Sequence, residues 1–506
     1  MVYQFVLFAD VTDSIFATKV IGPYKCANML RANGYSCLVI DHLHSYSFNE
    51  LDQLLVPVIG PETLAVGFST TFFQNVDVPP NSHGGIDFED MTLASFLPQG
   101  HQFEELLLQR IKELNPNCKI ILGGANAFAY NQRRTIDYVL IGFTEVSFPN
   151  LADHLSKGTK LDNAIKNLWG VTVIDDRDAR GHDFRSTSVS WQDIDVVNSR
   201  VLPIEVSRGC IFKCKFCAFP MNGKKNLDFI KDTELIRKEL QEAYDQFGID
   251  TFNIVDDTFN DNEYKINEFL SAVKQLTFQP KFWAYVRLDL IRTTEQIEKL
   301  YDIGIRSYYF GIETLNKKTG SIIGKGWDPQ RQIEVVQEMR QRYGDLIAMH
   351  GSFIIGLPEE SIDSVRNTYN LIMDGTLPLQ SFDFRALFIE KLDTVTWSSE
   401  IGREYNKFGY RDSGIKLDRY IDWINNDMDR YQAMELADEF KDTSRYTQKF
   451  RLSGQSIWSL LNYNMPLDYL MTLDLSKLNW YALSMQKNKH IKQYKEKLRQ
   501  LLNIHD

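Results

Sequence analysis

Three cysteines fall within eight residues of this chain, at Cys210, Cys214 and Cys217, and they constrain its chemistry more than any other feature. The spacing is C-x3-C-x2-C, and thiolates are the soft ligands that iron–sulfur clusters require. Three thiolates on one short loop can hold three irons of a [4Fe–4S] cube and leave the fourth iron open to another molecule. The spacing therefore predicts a [4Fe–4S] cluster with one open coordination position.

Two alternatives remain for these cysteines, namely a zinc site and buried thiols without a metal. A structural zinc site would need a fourth ligand nearby, but the next histidine after the loop is His350 and the nearest one before it is His182. A disulfide scaffold is excluded, because six cysteines in 506 residues are too few. The other three cysteines are predicted to be core residues: Cys26, Cys37 and Cys118.

The order of apolar runs divides the chain into four parts. Residues 1–155 alternate strand-like and helix-like runs, which predicts a Rossmann-like, doubly wound parallel sheet. Residues 72–100 interrupt this domain and are expected to form a functional flap or insertion. Residues 156–200 are polar and predicted to be a linker with one short strand. Residues 201–395 repeat six strand–helix units, which predicts a partial parallel barrel, and residues 396–506 are predicted to be mostly helical.

Charge and hydropathy limit the partners that this chain is expected to have. The net charge of −11 disfavours a nucleic-acid partner. The apolar runs are too short to cross a membrane, and residues 1–11 are expected to form a first strand, not a signal peptide. A cytoplasmic location is therefore expected. Residues 487–499 are predicted to form a basic helix with a solvated face, or alternatively one that contacts an acidic partner or nucleic acid.

The loop at residues 207–217 resembles the signature of the radical S-adenosylmethionine (radical SAM) superfamily, including Phe216 before the last cysteine. In that family the open iron binds SAM, and an electron from the cluster cleaves SAM to methionine and a 5′-deoxyadenosyl radical. The resemblance implies a partial (βα)6 barrel over about residues 200–395, with the cluster loop after its first strand. Phe216 is implied as a SAM-binding residue.

Two further segments resemble strand-end motifs of the same family. Residues 253–259 resemble the acidic motif after the second strand, where Asp256 and Asp257 would take ribose hydroxyls or position a polar substrate. Residues 285–289 resemble the third strand, where Arg287 would pair with the SAM carboxylate. A helix N-cap and an ordinary Arg–Asp salt bridge are the alternatives for these positions.

The fourth and fifth strands also resemble family motifs. The resemblance implies that Glu313 and Thr314, at the end of the fourth strand, lie beside the methionine part of SAM, and that Gly356 and Pro358, after the fifth strand, lie beside the adenine. A structural carboxylate and a structural turn are the alternatives. The family implies that the residues orienting SAM for catalysis are Arg287, Glu313 and Asp256.

The strand endings of residues 1–155 resemble the cobalamin-binding domain that precedes many radical SAM barrels. Ligands of open α/β sheets bind at the carboxyl ends of strands. The implied cobalamin-binding residues are Ser69, Thr70, Gly123, Gly124, Gly142 and Glu145. The chain departs from the family pattern at Phe143–Thr144 and lacks the signature for an axial histidine, so His42 and His44 are expected on a surface loop, and a domain without cobalamin is an alternative.

The resemblance implies a cobalamin-dependent radical SAM enzyme that transfers a methyl group to an unactivated carbon of a small-molecule or peptide substrate. It implies three cofactors, which are the [4Fe–4S] cluster, SAM and cobalamin, and a reducing partner such as flavodoxin or ferredoxin. Residues 396–506 are expected to cap the substrate. The alternatives are radical cyclisation or rearrangement without methyl transfer, and a non-catalytic sensor that binds a cluster or cobalamin.

Overall fold

A computed structural model gives the fold of the chain. The residues that it describes are 1–9, 19–69, 97–124, 127, 135–177, 182–219, 221–326, 328–392, 397–417, 420–445, 450–474 and 479–504. Thr70 and most of the predicted insertion lie outside these ranges. The chain divides into two compact units. The first contains Met1–Asp183, Ser188–Ser199 and Tyr481–Asp506, and the second contains Phe184–Thr187 and Arg200–Trp480.

The described residues form strands and helices with the following bounds. The strands are β1 (Phe5–Phe8), β2 (Cys37–Ile40), β3 (Ala65–Ser69), β4 (Lys119–Gly123), β5 (Tyr138–Gly142), β6 (Ala164–Lys166), β7 (Thr172–Asp176), β8 (Val201–Ile204), β9 (Thr251–Ile254), β10 (Lys281–Val286), β11 (Ile305–Glu313), β12 (Ala348–Ile355), β13 (Ser381–Ala386), β14 (Arg411–Lys416) and β15 (Ile421–Ile424). The helices are α1 (Ile21–Ala32), α2 (Phe48–Leu55), α3 (Leu97–Leu114), α4 (Thr144–Lys157), α5 (Thr233–Phe247), α6 (Glu263–Lys274), α7 (Thr294–Ile303), α8 (Lys317–Ile323), α9 (Pro329–Tyr343), α10 (Ile362–Met373), α11 (Glu400–Glu404), α12 (Arg430–Arg445), α13 (Gly454–Leu461), α14 (Leu467–Thr472) and α15 (Trp480–Leu501). None of these helices has the length and apolar character needed to span a bilayer.

The first unit is built on a seven-stranded sheet in the order β2-β1-β3-β4-β5-β7-β6. All neighbouring pairs are parallel except β6 with β7. Strands β1 and β2 are four consecutive buried residues each, as expected of parallel strands covered on both faces. Helix α1 packs against α4 and α2 packs against α3. This arrangement confirms the predicted doubly wound sheet.

The second unit contains a six-stranded parallel sheet in simple chain order from β8 to β13. Helices α5 to α10 connect successive strands. Among the described residues no pairing joins β8 to β13, so the sheet is a partial barrel as predicted. Because the connections are strand–helix–strand, all six carboxyl ends lie at one edge of the sheet, and the loops that follow them share that edge.

Two parts of the chain differ from the sequence-based organisation. The predicted linker at residues 156–200 contributes β6 and β7 to the first sheet, because β7 pairs with β5 from Tyr138↔Thr172 to Gly142↔Asp176. The predicted helical region at residues 396–506 contains the antiparallel pair β14 and β15. Ile421 and Trp423 of strand β15 are both buried. Burial of these two large apolar side chains favours an ordered strand at this position.

The last helix, α15, belongs to the first unit and not to the region that precedes it. The Tyr494 hydroxyl accepts a hydrogen bond of 2.9 Å from the Asp41 backbone N–H at the end of β2. Lys495 contacts Glu50 at 3.0 Å, and Leu498 is fully buried in the core of this unit. The predicted division at residue 396 therefore does not describe where this helix packs. The basic side chains of α15 that contact other residues of the first unit include Lys495, Lys497 and Arg499.

Removing the Tyr494 hydroxyl is expected to destabilise the first unit. In Tyr494→Phe the buried Asp41 N–H loses its acceptor, and we expect the free energy of unfolding to fall by about 1–3 kcal/mol. Urea unfolding followed by circular dichroism measures this. Tyr481→Phe is the control on the same helix, because the Tyr481 side chain is 70% exposed. Equal stability of the two variants would contradict the assigned role.

Candidate functional site

The three cysteines lie on one loop that follows β8 and folds back on itself. The Cys210 carbonyl accepts hydrogen bonds from the backbone N–H groups of Gly223 at 2.7 Å and Lys224 at 3.0 Å. Gly209 has a φ of +104°, and a Cβ there would lie 2.7 Å from the Met221 carbonyl oxygen. Glycine is therefore required where the loop approaches its own return segment.

Two of the three cysteine sulfurs accept hydrogen bonds from neighbouring side chains. Arg287 donates to the Cys214 Sγ at 3.4 Å, and Asn222 donates to the Cys217 Sγ at 3.3 Å. Hydrogen-bond donors of this kind stabilise thiolates, and they influence the reduction potential of an iron–sulfur cluster that the thiolates coordinate. Burial raises the pKa of the Cys210 and Cys217 thiols, and coordination to iron would deprotonate them. The donor chemistry of the loop therefore fits an iron–sulfur cluster.

A zinc ion and an iron–sulfur cluster need different arrangements of ligands. In the ranges that the structure describes, no group of three or more His, Cys, Asp or Glu side chains is arranged to hold a single metal ion. A structural zinc ion needs four ligands around one point. A cluster places a separate iron at each thiolate, which is the arrangement that the sequence predicts.

Asp256 lies beneath the start of the cysteine loop and is 1% exposed. Its Oδ1 accepts hydrogen bonds from the backbone N–H groups of Val206 at 2.8 Å and Ser207 at 3.0 Å. Its Oδ2 accepts from the Ser207 hydroxyl at 2.6 Å and lies 3.5 Å from the Lys265 Nζ. The structure thus gives Asp256 the role of holding the loop, whereas the sequence predicts that it orients SAM.

Asp257 has a different environment from its neighbour. Its carboxylate is half-buried, and it makes no hydrogen bond or ion pair with any residue that the structure describes. Burial, together with the adjacent Asp256 carboxylate, raises the pKa of Asp257 to about 6. Asp257 follows β9 at the edge that carries the cysteine loop, so it is available to bind a ligand there.

Arg287 follows β10 and connects two parts of this edge. Its Nε and Nη2 donate to the Asp289 carboxylate at 3.0 and 2.6 Å, and its Nη1 donates to Cys214. Its guanidinium carbon lies 3.9 Å from the Phe212 ring centroid. Arg287 and Asp289 therefore form the salt bridge that was the alternative for this position. This salt bridge also orients the third nitrogen of Arg287 toward the cysteine loop.

Glu313 ends β11 in a left-handed backbone conformation, with a φ of +67°, and such a conformation is strained in a residue with a side chain. Its Oε1 lies 2.8 Å from the Lys325 Nζ. A Cβ at Gly311 would lie 2.6 Å from that oxygen, so the glycine of this motif makes room for the ion pair. The Lys325 Nζ also lies 5.8 Å from the Phe216 ring centroid, which brings the predicted Phe216 beside this pair.

Gly356 follows β12 and packs against a residue that the sequence analysis did not identify. Its φ is +92°, and a Cβ there would overlap the Trp423 ring of β15. The Gly356 carbonyl accepts a hydrogen bond of 2.7 Å from the Tyr410 hydroxyl, and Pro358 is buried beside it. Trp423 and Tyr410 come from a region with high aromatic content, but no motif marks them.

Thr314 and Glu360 form a buried pair at the same edge. The Thr314 hydroxyl donates to the Glu360 Oε1, and Glu360 is 2% exposed. The Glu360 Oε2 has no hydrogen-bond partner among the described residues. Burial raises the pKa of Glu360 to about 8, so this carboxyl is held protonated near neutral pH.

Two of the predicted cobalamin-binding residues lie side by side in the first unit. Ser69 ends β3 and pairs with Gly123, which ends β4. Gly124 follows with a φ of +105°. This places Ser69, Gly123 and Gly124 at the carboxyl edge of the sheet, where ligands of such folds bind.

The other two described residues of that set have structural explanations. A Cβ at Gly142 would lie 2.6 Å from the Asp176 carbonyl carbon, so packing of β5 against β7 requires glycine there. Glu145 is buried and lies 4.0 Å from the Lys25 Nζ. His42 lies in the loop after β2 and is partly buried, and its ring centroid lies 5.1 Å from that of Tyr494.

The raised pKa of Glu360 predicts a pH dependence of stability. Between about pH 4.5 and pH 8 the folded state binds more protons than the unfolded state, so stability falls as pH rises through this window. Glu360→Gln stays neutral and is expected to flatten this fall, as measured by urea unfolding at several pH values. Glu359→Gln is the control, because the Glu359 side chain is 54% exposed. A Glu360→Gln variant with the wild-type slope would show that another group causes the dependence.

Comparisons with known proteins find a family match within the second unit. Residues 204–372 match the family model of the radical SAM superfamily. The uncharacterized methyltransferase PH0819 of Pyrococcus horikoshii is 28% identical over 277 residues, which cover 51% of this chain and 58% of that protein. The bacteriochlorophyllide d C-12(1)-methyltransferase of Chlorobaculum tepidum is 24% identical over 38% of this chain and 41% of its own length.

A third relative differs from these in its named reaction. The anaerobic magnesium-protoporphyrin IX monomethyl ester cyclase of Rubrivivax gelatinosus is 22% identical over 53% of this chain and 51% of its own length. The chain thus spans about half the length of the curated relatives that it matches.

Solved structures share the fold of this chain. The radical S-adenosylmethionine methyltransferase TsrM from Kitasatospora setae, solved with cobalamin and a [4Fe–4S] cluster, aligns with a TM-score of 0.64 and 13% identity over 99% of this chain and 100% of its own. The cobalamin-dependent S-adenosylmethionine radical enzyme OxsB, solved with aqua-cobalamin, aligns with a TM-score of 0.62 and 14% identity over 99% of this chain and 72% of its own. At these identities the likeness shows the fold alone. Residues 204–372 thus match the radical SAM family model, and the chain as a whole shares the fold of the TsrM and OxsB structures.

Proposed function

We propose that this chain holds a [4Fe–4S] cluster on Cys210, Cys214 and Cys217 and cleaves SAM reductively. The observation that carries this proposal is the hydrogen bond from Arg287 to the Cys214 Sγ. It brings the SAM-binding residue predicted on β10 to the cysteine loop that follows β8. When bound, the cluster and SAM supply a 5′-deoxyadenosyl radical that abstracts hydrogen from an unactivated carbon.

The charged groups around the cysteine loop suit the amino-acid part of SAM. That part carries one ammonium and one carboxylate. Glu313 supplies a carboxylate for the ammonium, while Arg287 and Lys325 supply cations for the carboxylate. Because Asp289 holds two nitrogens of Arg287, the third nitrogen is oriented before the ligand arrives, which reduces the entropy lost on binding.

The remaining predicted residues are proposed to bind the nucleoside part of SAM. Asp257 is proposed to accept hydrogen bonds from the ribose hydroxyls, since no described residue occupies its carboxylate. The Gly356 backbone is proposed to lie beside the adenine, with Pro358 shaping the turn. Phe216 and Thr314 are proposed to complete this site, because each lies beside one of the charged or buried pairs described above.

We also propose that cobalamin binds in the first unit and that the net reaction transfers a methyl group to carbon. Ser69, Gly123 and Gly124 provide an edge of small residues that a flat macrocycle could approach. Gly142 and Glu145 have structural partners that do not require cobalamin. The relatives named as methyltransferases, and the TsrM and OxsB structures that contain cobalamin, support this proposal. A flavodoxin or ferredoxin would supply the electron, and the substrate is proposed to be a small molecule or peptide.

Radical chemistry without methyl transfer is the second candidate function. It is favoured by the similarity to a cyclase, which covers about the same share of this chain as the similarity to PH0819. In both candidates the residues of the second unit have the same roles. They differ in whether a methylated product forms, and methyl transfer requires cobalamin in the first unit.

Serine variants of the three cysteines test the proposed cluster. After anaerobic reconstitution, Cys210→Ser, Cys214→Ser and Cys217→Ser are each expected to lose bound iron and sulfide and to reduce 5′-deoxyadenosine formation to background, because serine is a poor ligand for this cluster. Cys26→Ser is the control outside the loop and is expected to behave like the wild type. Full cluster content in all three loop variants would contradict the assignment.

The same reconstitution separates the two candidate reactions. Hydroxocobalamin is added and bound cobalamin is measured after gel filtration. Bound cobalamin together with SAM cleavage supports methyl transfer. SAM cleavage without bound cobalamin would contradict that proposal and leave the reaction without methyl transfer.

Two carboxylate variants are expected to fail in different ways. Glu313→Gln removes a charged partner of the SAM ammonium and is expected to weaken SAM binding about tenfold or more at unchanged iron content. Asp256→Asn disrupts the start of the cysteine loop and is expected to lower iron content. Equilibrium dialysis with SAM and iron analysis measure both effects, with Glu334→Gln on the exposed face of α9 as the control. If Asp256→Asn has normal iron content but binds SAM more weakly, Asp256 orients SAM, as the sequence predicts, and does not hold the loop.

A further inference from the structure

Five side chains on β10 to β13 form a polar cluster that the proposed SAM site does not use. They are Tyr285, Tyr309, His350, Asp383 and Arg385, and we call them the strand-face cluster. The Tyr309 ring lies 4.8 Å from both the Tyr285 ring and the His350 ring, centroid to centroid. Asp383 lies 2.6 Å from the His350 Nε2. These contacts between neighbouring strands place the cluster on one face of the sheet.

The strand-face cluster begins next to the proposed SAM site. Tyr285 and Arg287 are two residues apart along the same chain segment, so their side chains lie on the same side of the sheet. This separation corresponds to roughly 7 Å of extended chain. Arg287 contacts Cys214. A molecule held by the strand-face cluster would therefore lie beside the position where SAM is proposed to react.

The amino-terminal side of this face is closed by α13. A Cβ at Gly454, the first residue of α13, would lie 2.9 Å from the Trp283 Cδ1 and would overlap Ser307. The Trp458 indole N–H donates to the Phe252 carbonyl at 2.9 Å. The carboxyl edge of the sheet, where the cysteine loop lies, is on the opposite side from these contacts and is the proposed side of ligand entry to the strand-face cluster.

Arg385 is held in a way that leaves two of its nitrogens for a ligand. Its Nε donates to the Asp383 Oδ2 at 2.5 Å, whereas its Nη1 and Nη2 make no hydrogen bond with any residue in the described ranges. The Arg385 side chain is 42% exposed. A guanidinium held through Nε still presents paired donors that match a carboxylate.

Asp383 is in turn fixed by groups other than Arg385. His350 lies 2.6 Å from its Oδ1, and the Ser352 hydroxyl donates to its Oδ2 at 3.3 Å. The His350 Nδ1 lies 2.9 Å from the Ser381 hydroxyl. Because Asp383 has these partners, it holds the Arg385 guanidinium in one orientation and is not itself free to bind a substrate.

Aromatic rings lie beside this cation. The Trp283 and Tyr285 rings are 4.8 Å apart, as are the Tyr285 and Tyr309 rings. Asp383 contacts both Arg385 and His350, and the His350 ring lies 4.8 Å from the Tyr309 ring, so these contacts connect the guanidinium to the aromatic rings. An aromatic surface next to a fixed cation fits a planar molecule that carries an acidic group.

We infer that Arg385 anchors the substrate by binding a carboxylate, and that the planar part of the substrate lies against Tyr285 and Tyr309. The inference rests on the proposed function, since it places this substrate beside the proposed SAM site. Arg385 touches the substrate in this arrangement, and Asp383 is a positioning residue that acts through Arg385. The substrate class is therefore a planar aromatic or conjugated carboxylate.

The test compares two probes of nearly the same shape, the anionic 2-naphthoate and the neutral 2-naphthamide. Both are titrated into the anaerobically reconstituted full chain by isothermal titration calorimetry. The wild type is expected to bind 2-naphthoate about tenfold or more tightly than 2-naphthamide, because a charged hydrogen-bonded pair forms only with the carboxylate. A wild type that does not distinguish the two probes overturns the inference.

Variants assign this preference to particular residues. Arg385→Gln is expected to lose the preference, and Arg385→Lys to keep part of it, because lysine retains the charge but not the paired donors. Asp383→Asn is expected to reduce the preference while leaving 2-naphthamide binding unchanged, which a loss of folding would not do. Arg411→Gln is the control, because Arg411 is exposed on β14. A preference that survives in Arg385→Gln overturns the inference.

Measurements on the same samples separate this inference from the proposed function. Iron content and 5′-deoxyadenosine formation are determined for the wild type and for each variant. Normal SAM cleavage without a preference for 2-naphthoate overturns the inference and leaves the proposed function standing. A wild type that neither holds an iron–sulfur cluster nor cleaves SAM overturns the proposed function. In that case the probe comparison still decides whether Arg385 binds carboxylates.

Discussion

The cysteine loop depends on a buried ion pair network beneath it. Lys265 is fully buried, and its ammonium lies 2.6 Å from Asp261 and 3.5 Å from Asp256. It also donates to the Ser207 hydroxyl at 2.9 Å and the Thr258 carbonyl at 2.6 Å. Removing one partner from such a network leaves a buried charge without compensation, which is costly. The network therefore fixes where the loop begins, and every group that the loop carries is placed relative to it.

Parallel topology explains how residues far apart in sequence reach this loop. Arg287 follows β10 and Glu313 ends the neighbouring β11, and in a sheet of parallel strands joined by helices these positions lie at one edge. Local pairs then orient each side chain, as Asp289 does for Arg287 and Lys325 does for Glu313. The topology of the sheet brings Arg287 and Glu313 to the same edge, and their ion pairs orient the two side chains. The site depends on both.

The sequence was sufficient to predict features that depend on local pattern. The cysteine spacing, the strand–helix alternation and the strand-end motifs led to the correct fold class and to the residues that share the carboxyl edge. The sequence could not distinguish the roles of Asp256 and Asp257. Side chains of adjacent residues point in different directions, and the sequence pattern does not say which of the two carboxylates faces the cysteine loop. The contact of Trp423 with Gly356 was also beyond prediction, since it joins segments distant in sequence without a local signal.

The return of α15 to the first unit has a consequence for how this protein forms during synthesis. The core that contains Val6 and Leu38 also contains Tyr494 and Leu498, so its apolar residues cannot all be buried until α15 has left the ribosome. The second unit, whose residues lie between, is synthesised before that point. Because domains usually fold as units and amino-terminal ones first, this chain reverses the usual order: the nascent first unit keeps apolar surface exposed while the second unit folds, and chaperones would have their longest access to that surface.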